Sequence, residues 1–128
     1  MKGLRVKKIA IFGVGAQGST IARRMDEHPN VSEIICADYD RRAAEELSKS
    51  LSKAKPHQLD ASDVKNVIKT AEGCDLVVNG LPLEYDLIVM EAALAVNASY
   101  MDMAGPMEDI GFVESYQHGS LVKRAGNG

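Results

Sequence analysis

At 128 residues with 45% apolar side chains, the chain has room for one domain around one hydrophobic core, which excludes a disordered polypeptide. Its 15 basic and 18 acidic side chains give a formal net charge of −3, and the short mixed run Lys2–Lys8 is too small for a nucleic-acid surface. No apolar run reaches the length of a membrane span, and the N-terminus lacks the apolar stretch of a signal peptide.

Strand and helix patterns alternate from the start. Lys8–Phe12 is an apolar run that ends in glycine and predicts a buried first strand. Gln17–Glu27 sets Ile21 and Met25 one helical turn apart, with Ala22 beside them, and His28-Pro29-Asn30 stops that helix. Glu33–Ala37 predicts a second strand ending at Asp38. A helix over Arg41–Leu51 buries Ala44, Leu47 and Leu51. Pro56–Leu59 is a polar third strand, expected at a sheet edge because it begins with proline. Asp63–Thr70 is a short helix presenting Val64, Val67 and Ile68, and Cys74–Val78 is a fourth strand closed by Asn79-Gly80-Leu81-Pro82. Asp86–Val96 is a strongly apolar helix, and Tyr100–Met103 a fifth strand before Gly105-Pro106.

Five strands joined by helical crossovers imply a Rossmann-type doubly wound parallel sheet in three layers, with strand order 3-2-1-4-5. Residues 1–106 form this dinucleotide-binding domain. Residues 107–128 are a compositionally mixed C-terminal extension in which Phe112–Arg124 predicts one more amphipathic helix. A fifth strand without a sixth beside it leaves an edge, so a homodimer is expected. Cys36 and Cys74 lie in or beside apolar runs, where buried thiols are common; no metal site is expected, and a reducing, cytoplasmic setting follows.

The chemistry resides in the loops that follow the strands. Gly13-Val14-Gly15-Ala16-Gln17-Gly18 is a G-x-G-x-x-G pattern, which is weak alone but here leaves an apolar strand and opens an amphipathic helix. Gly13 allows the tight turn, Gly15 lets a pyrophosphate approach the backbone, and Gly18 lets the helix pack closely on the sheet. Unpaired amides at the helix start, aided by its dipole, then favour phosphate. Asp38 ends the second strand 20 positions after Gly18 (38 − 18), where a carboxylate accepts hydrogen bonds from the adenosine ribose. That charge repels a 2′-phosphate and favours NAD over NADP, although Arg41 and Arg42 are near enough in sequence to meet a phosphate.

Two further loops belong to the same crevice. Asp60-Ala61 is placed to meet the adenine, or equally serves as a helix N-cap region. Asn79, Leu81 and Pro82 lie across the topological switch point, bordering the nicotinamide half, or simply make a strand-to-helix turn. The remaining polar residues carry less. His28, His57 and His118 read as surface residues, Glu84 and Asp86 as favourable charges at a helix start, and Asp102 as a strand-end carboxylate at the crevice rim. No complete acid–base constellation emerges, so catalytic residues are not assigned.

The ordered set Ile9–Gly18, Cys36-Ala37-Asp38, Leu59-Asp60-Ala61, Val77–Pro82 and Tyr100-Met101-Asp102 resembles the saccharopine dehydrogenase family, in particular its lysine 6-dehydrogenase-like members. The resemblance runs from about Lys7 to Gly105. It implies the N-terminal NAD(P)-binding domain of an amino-acid dehydrogenase, whose substrate domain is absent from these residues. It implies hydride transfer to NAD and an amino-acid substrate bound only where a second domain is present. A stand-alone NAD(H) sensor or regulatory domain is the alternative. A coenzyme A binder would not need Asp38.

Overall fold

The computed structural model describes residues 7–103. In chain order they form β1 (Lys8–Phe12), α1 (Ala16–Glu27), β2 (Glu33–Asp38), α2 (Arg41–Lys49), β3 (Ala54–Gln58), α3 (Val64–Ala71), β4 (Leu76–Asn79), a 3-10 turn (Leu83–Tyr85), α4 (Asp86–Ala95) and β5 (Ser99–Asp102). The strands make one sheet in the order β3-β2-β1-β4-β5, with every neighbouring pair parallel. This is the doubly wound arrangement expected from the sequence.

Side-chain alternation in β1 explains the layers. Ile9 and Ile11 point to one face, where they join Ile34, Cys36 and Val78 against Ala22 of α1 and Leu47 of α2. Ala10 and Phe12 point to the other, with Ala37, Val77 and Tyr100 against Val67 and Ala71 of α3 and Val89, Ala92 and Ala93 of α4. Both faces of the central strand are therefore sealed, which is why β1 reads as continuously apolar.

Element boundaries moved where backbone hydrogen bonds outweighed the apolar pattern. The third strand starts at Ala54, two residues before Pro56, because Ile34–Asp38 of β2 pairs with Ala54–Gln58 in register. Proline is tolerated there because β3 is an edge strand. The fourth strand starts at Leu76 rather than Cys74, since the Cys74 amide donates to Ala71 O at 3.0 Å and Gly73 turns the chain at φ +80°. The short 3-10 turn before α4 is not apparent in the sequence pattern. Asp40 and Asp63 cap α2 and α3, accepting from the amides of Ala43 and Asn66 at 3.2 Å each. The expected extension 107–128, with its helix at Phe112–Arg124, lies outside the described residues. Among the described residues, no helix is long and apolar enough to cross a membrane.

Candidate functional site

The C-terminal ends of β1, β2, β3 and β4 open onto one cleft of about 550 Å³. It is lined by Gly13 and Gly15 from the first loop, Asp38 and Tyr39 after β2, Asp60 and Ala61 after β3, and Gly80, Leu81, Pro82 and Tyr85 after β4. Loops separated by up to 72 positions (85 − 13) thus converge at the place where a doubly wound sheet binds its ligand.

The glycines of the first loop differ in what they leave room for. Gly13 has φ +91°, and a Cβ there would lie 2.8 Å from the backbone of Gly80, so both conformation and space demand glycine. A Cβ on Gly18 would lie 1.9 Å from the carbonyl oxygen of Gly13, so α1 starts in direct contact with the turn. Gly15 is the opposite case: a Cβ there meets nothing within 4 Å. Its bareness has no internal packing cause and suits a ligand that approaches the backbone from the cleft. Gly15 also N-caps α1 without a side-chain hydrogen bond, leaving the first-turn amides to an anion. Ala16 and Gln17 begin that helix beside the cleft rather than lining it.

Asp38 stands opposite the glycine loop with each carboxylate oxygen partly engaged. Oδ2 accepts the Val14 amide at 2.8 Å and Oδ1 accepts the Asp40 amide at 2.8 Å. A carboxylate has about four acceptor positions, so both oxygens retain capacity toward the cleft. Arg41 and Arg42 form hydrogen-bonded ion pairs with Glu45 and Glu46 along the exposed face of α2, at 3.0 and 3.2 Å. Asp60 accepts from both the amide and the hydroxyl of Ser62 at Oδ1, at 2.9 and 2.7 Å. These Ser62 bonds, the hydroxyl first, hold its carboxyl below the usual range. The cap of α3 is Asp63, so Asp60 is not needed for that role.

Asn79 lies behind the wall rather than on it. It is 1% exposed, and all three of its side-chain bonds stay inside the protein. Oδ1 accepts the Leu81 amide at 3.0 Å, while Nδ2 donates to Asp86 Oδ1 and to the Tyr100 hydroxyl at 2.9 Å each. The Tyr100 hydroxyl donates onward to Asp102 Oδ2 at 3.0 Å. Of the histidines, His28 caps the end of α1 and His57 is half-buried in β3; His118 lies outside the described residues.

Sequence reasoning passed over Tyr39, Tyr85 and Tyr100. Tyr39 directly follows the strand-end aspartate and is 71% exposed, an aromatic ring left facing outward at the cleft rim. Its position beside Asp38 was the available signal. Tyr85 is brought to the cleft by the 3-10 turn, which left no periodicity to read.

A parallel three-layer sheet, with a turn stripped of side chains facing a strand-end carboxylate, defines a Rossmann-type dinucleotide-binding domain. Within that class the chain belongs to the saccharopine dehydrogenase NADP binding domain family, whose sequence profile matches residues 9–123. It is 29% identical over 102 residues to the carboxyaminopropylagmatine dehydrogenase of Synechocystis sp., covering 76% of this chain and 25% of that protein. In fold it is similar to apo saccharopine dehydrogenase (L-Glu forming) from Saccharomyces cerevisiae, with TM-score 0.68 and 18% identity over 84% of this chain and 24% of the yeast chain. It is also similar to a variant uronate dehydrogenase from Agrobacterium tumefaciens complexed with NAD, with TM-score 0.57 and 20% identity over 75% and 40% of the two chains. The chain spans about a quarter of the length of the first two. It is an NAD(P)-binding domain of the saccharopine dehydrogenase type.

Proposed function

We propose that this chain is the cofactor half of an amino-acid oxidoreductase and that NAD is its preferred dinucleotide. The observation that carries the preference is Asp38. Its carboxylate faces the cleft beside the glycine loop, held by the Val14 and Asp40 amides. A ribose with free hydroxyls can donate to those oxygens, whereas a 2′-phosphate brings negative charge against negative charge. The two nearby arginines already have carboxylate partners on α2, which supports the same preference.

In this reading the first-turn amides of Ala16, Gln17 and Gly18 favour the pyrophosphate, and Gly13 and Gly15 let it reach the backbone. Tyr39, Asp60 and Ala61 flank the adenine. Leu81 and Pro82 border the cleft toward the nicotinamide side, and Asn79 supports them from behind. When bound, the nicotinamide supplies the hydride acceptor; the protein holds it, orients it and excludes water. The substrate is an amine-bearing amino acid or derivative, oxidised at the carbon that carries the amine. Membership of the saccharopine dehydrogenase family supports that substrate class. Substrate contacts and the proton acceptor are assigned to polypeptide outside these elements.

Calorimetric titration with NAD and with NADP tests the preference. NAD is expected to bind more tightly by about tenfold or more, equivalent to about 1.4 kcal/mol. Equal or tighter binding of NADP would contradict the role given to Asp38. Binding of neither would contradict the site.

A further inference from the structure

The polar chain behind the cleft has a strict direction. Asp102 and Asp86 offer carboxylate oxygens as acceptors, so the Tyr100 hydroxyl donates to Asp102 and its oxygen accepts from Asn79. Both Nδ2 hydrogens of Asn79 are then engaged, one to Asp86 and one to Tyr100, leaving Oδ1 for the Leu81 amide. Flipping the amide would set its oxygen against two acceptors and its NH₂ against a donor. Burial keeps the Tyr100 hydroxyl protonated far above the usual tyrosine range, so the direction persists across ordinary pH.

Through hydrogen bonds between buried or half-buried side chains, this polar chain ties together three elements that otherwise pack through apolar side chains. Asn79 ends β4, Asp86 begins α4 and Tyr100 lies in β5. The segment they enclose carries Gly80, Leu81, Pro82 and Tyr85, four of the residues lining the cleft. The same segment presses on the glycine loop. The Gly80 amide donates to Phe12 O at 2.7 Å, and a Cβ on Gly80 would lie 3.0 Å from Gly13 O. A shift of the Gly80–Leu81 backbone therefore cannot be absorbed by the facing loop without changing the shape of the cleft.

We propose that Asn79, locked by Tyr100 and Asp86, is a positioning residue that sets the Gly80–Leu81–Pro82 wall and so governs nucleotide affinity without touching the nucleotide. The inference rests on the cofactor reading above. It goes further by assigning control of the cleft to buried groups on the far side of its wall.

Tyr100→Phe removes one hydroxyl and leaves the ring in place, while Asn79→Asp keeps the shape but sets a third carboxylate oxygen among acceptors. Thermal melting, NAD titration well below each melting temperature, and hydrogen exchange at the Leu81 amide separate positioning from bulk stability. In folded Tyr100→Phe, NAD affinity is expected to fall by about fivefold to tenfold, the scale of one hydrogen bond. Leu81 amide exchange is expected to accelerate while amides of the central β1 strand stay protected. Asn79→Asp, where it folds, should lose more of both. Lower melting temperatures with unchanged NAD affinity and unchanged Leu81 exchange would overturn the inference alone. Failure of the unaltered chain to bind NAD would overturn the cofactor reading and this inference with it.

Discussion

Gly15 and Gly18 stand three positions apart in the same motif, yet they lack side chains for opposite reasons. Gly18 is required by the fold, because its Cβ would sit 1.9 Å from a backbone oxygen that cannot rotate away. Gly18→Ala should therefore cost about 3 kcal/mol, the upper range for overpacking, measurable by urea unfolding. Gly15 has ordinary negative φ and open space around it, so Gly15→Ala should leave stability within about 0.5 kcal/mol. The motif's spacing already separated the glycine expected to pack from the one expected to face a ligand; the surrounding backbone shows how much room each leaves. Asp38 is similar. Its place after an apolar strand was legible, but its bond to the Val14 amide was not, because that contact spans 24 positions. Replacing Asp38 by alanine would thus loosen the glycine loop as well as remove the proposed ribose acceptor, so its effect on NAD binding is expected to be a sum of both. Cys74 gives a residue-scale test of the core. Burial, the largest cause, with Glu33 and Asp75 adding to it and Lys8 opposing, pushes its thiol up to about 11. The folded state therefore holds this proton more tightly, and the associated stability is lost as pH rises from near 9 through about 11. Alkylation of native Cys74 by iodoacetamide at pH 8 should be slow compared with the urea-unfolded chain; equal rates would contradict its burial.

Helices and strands were legible in kind and order because each had an apolar period or a run bounded by a breaker. Their ends were not, since ends are decided by hydrogen bonds to partners distant in sequence. The start of β3 illustrates this: Ala54 and Lys55 have no strand-like pattern, and only the register with Ile34 and Ile35 makes them part of the sheet. The helix starts show the opposite limit. In sequence, Asp60-Ala61 read equally as an adenine contact or an N-cap region for a helix beginning at Asp63; the structure gives the cap to Asp63. Asp63→Ala should cost about 1 kcal/mol in chemical denaturation. It should leave NAD binding unchanged, because the side chain lies outside the cleft lining. A marked loss of affinity in that variant would mean that α3 is coupled to the site. The Asn79–Tyr100 chain was beyond reach of the sequence for a plain reason. A buried asparagine at a strand end looks the same whether its amide faces a ligand or a tyrosine 21 positions away.

At the scale of the whole molecule, the fold places the loops after β1 to β4 on one side of the sheet and leaves the apolar layers on its two faces. That separation lets the binding loops carry glycine, aspartate and tyrosine while the central strands remain almost wholly apolar. It also explains why the sequence was informative about cofactor class and silent about chemistry. The proposed cofactor recognition is concentrated in one strand–turn–helix and one strand-end acid, and relatives about four times as long include much chain beyond these elements. In the proposed reading, the cleft is shaped to take a dinucleotide at Gly15, beyond sharing the fold of dinucleotide-binding domains. The measurement that tests it most directly is calorimetric titration of NAD into the unaltered chain and into Gly15→Ala, with the melting temperature of each recorded beside it. The unaltered chain is expected to bind, the variant to lose at least about tenfold in affinity, and the two melting temperatures to agree within a few degrees. Equal NAD affinity in two equally stable chains would contradict it, since the open space at Gly15 would then not be where the nucleotide lies.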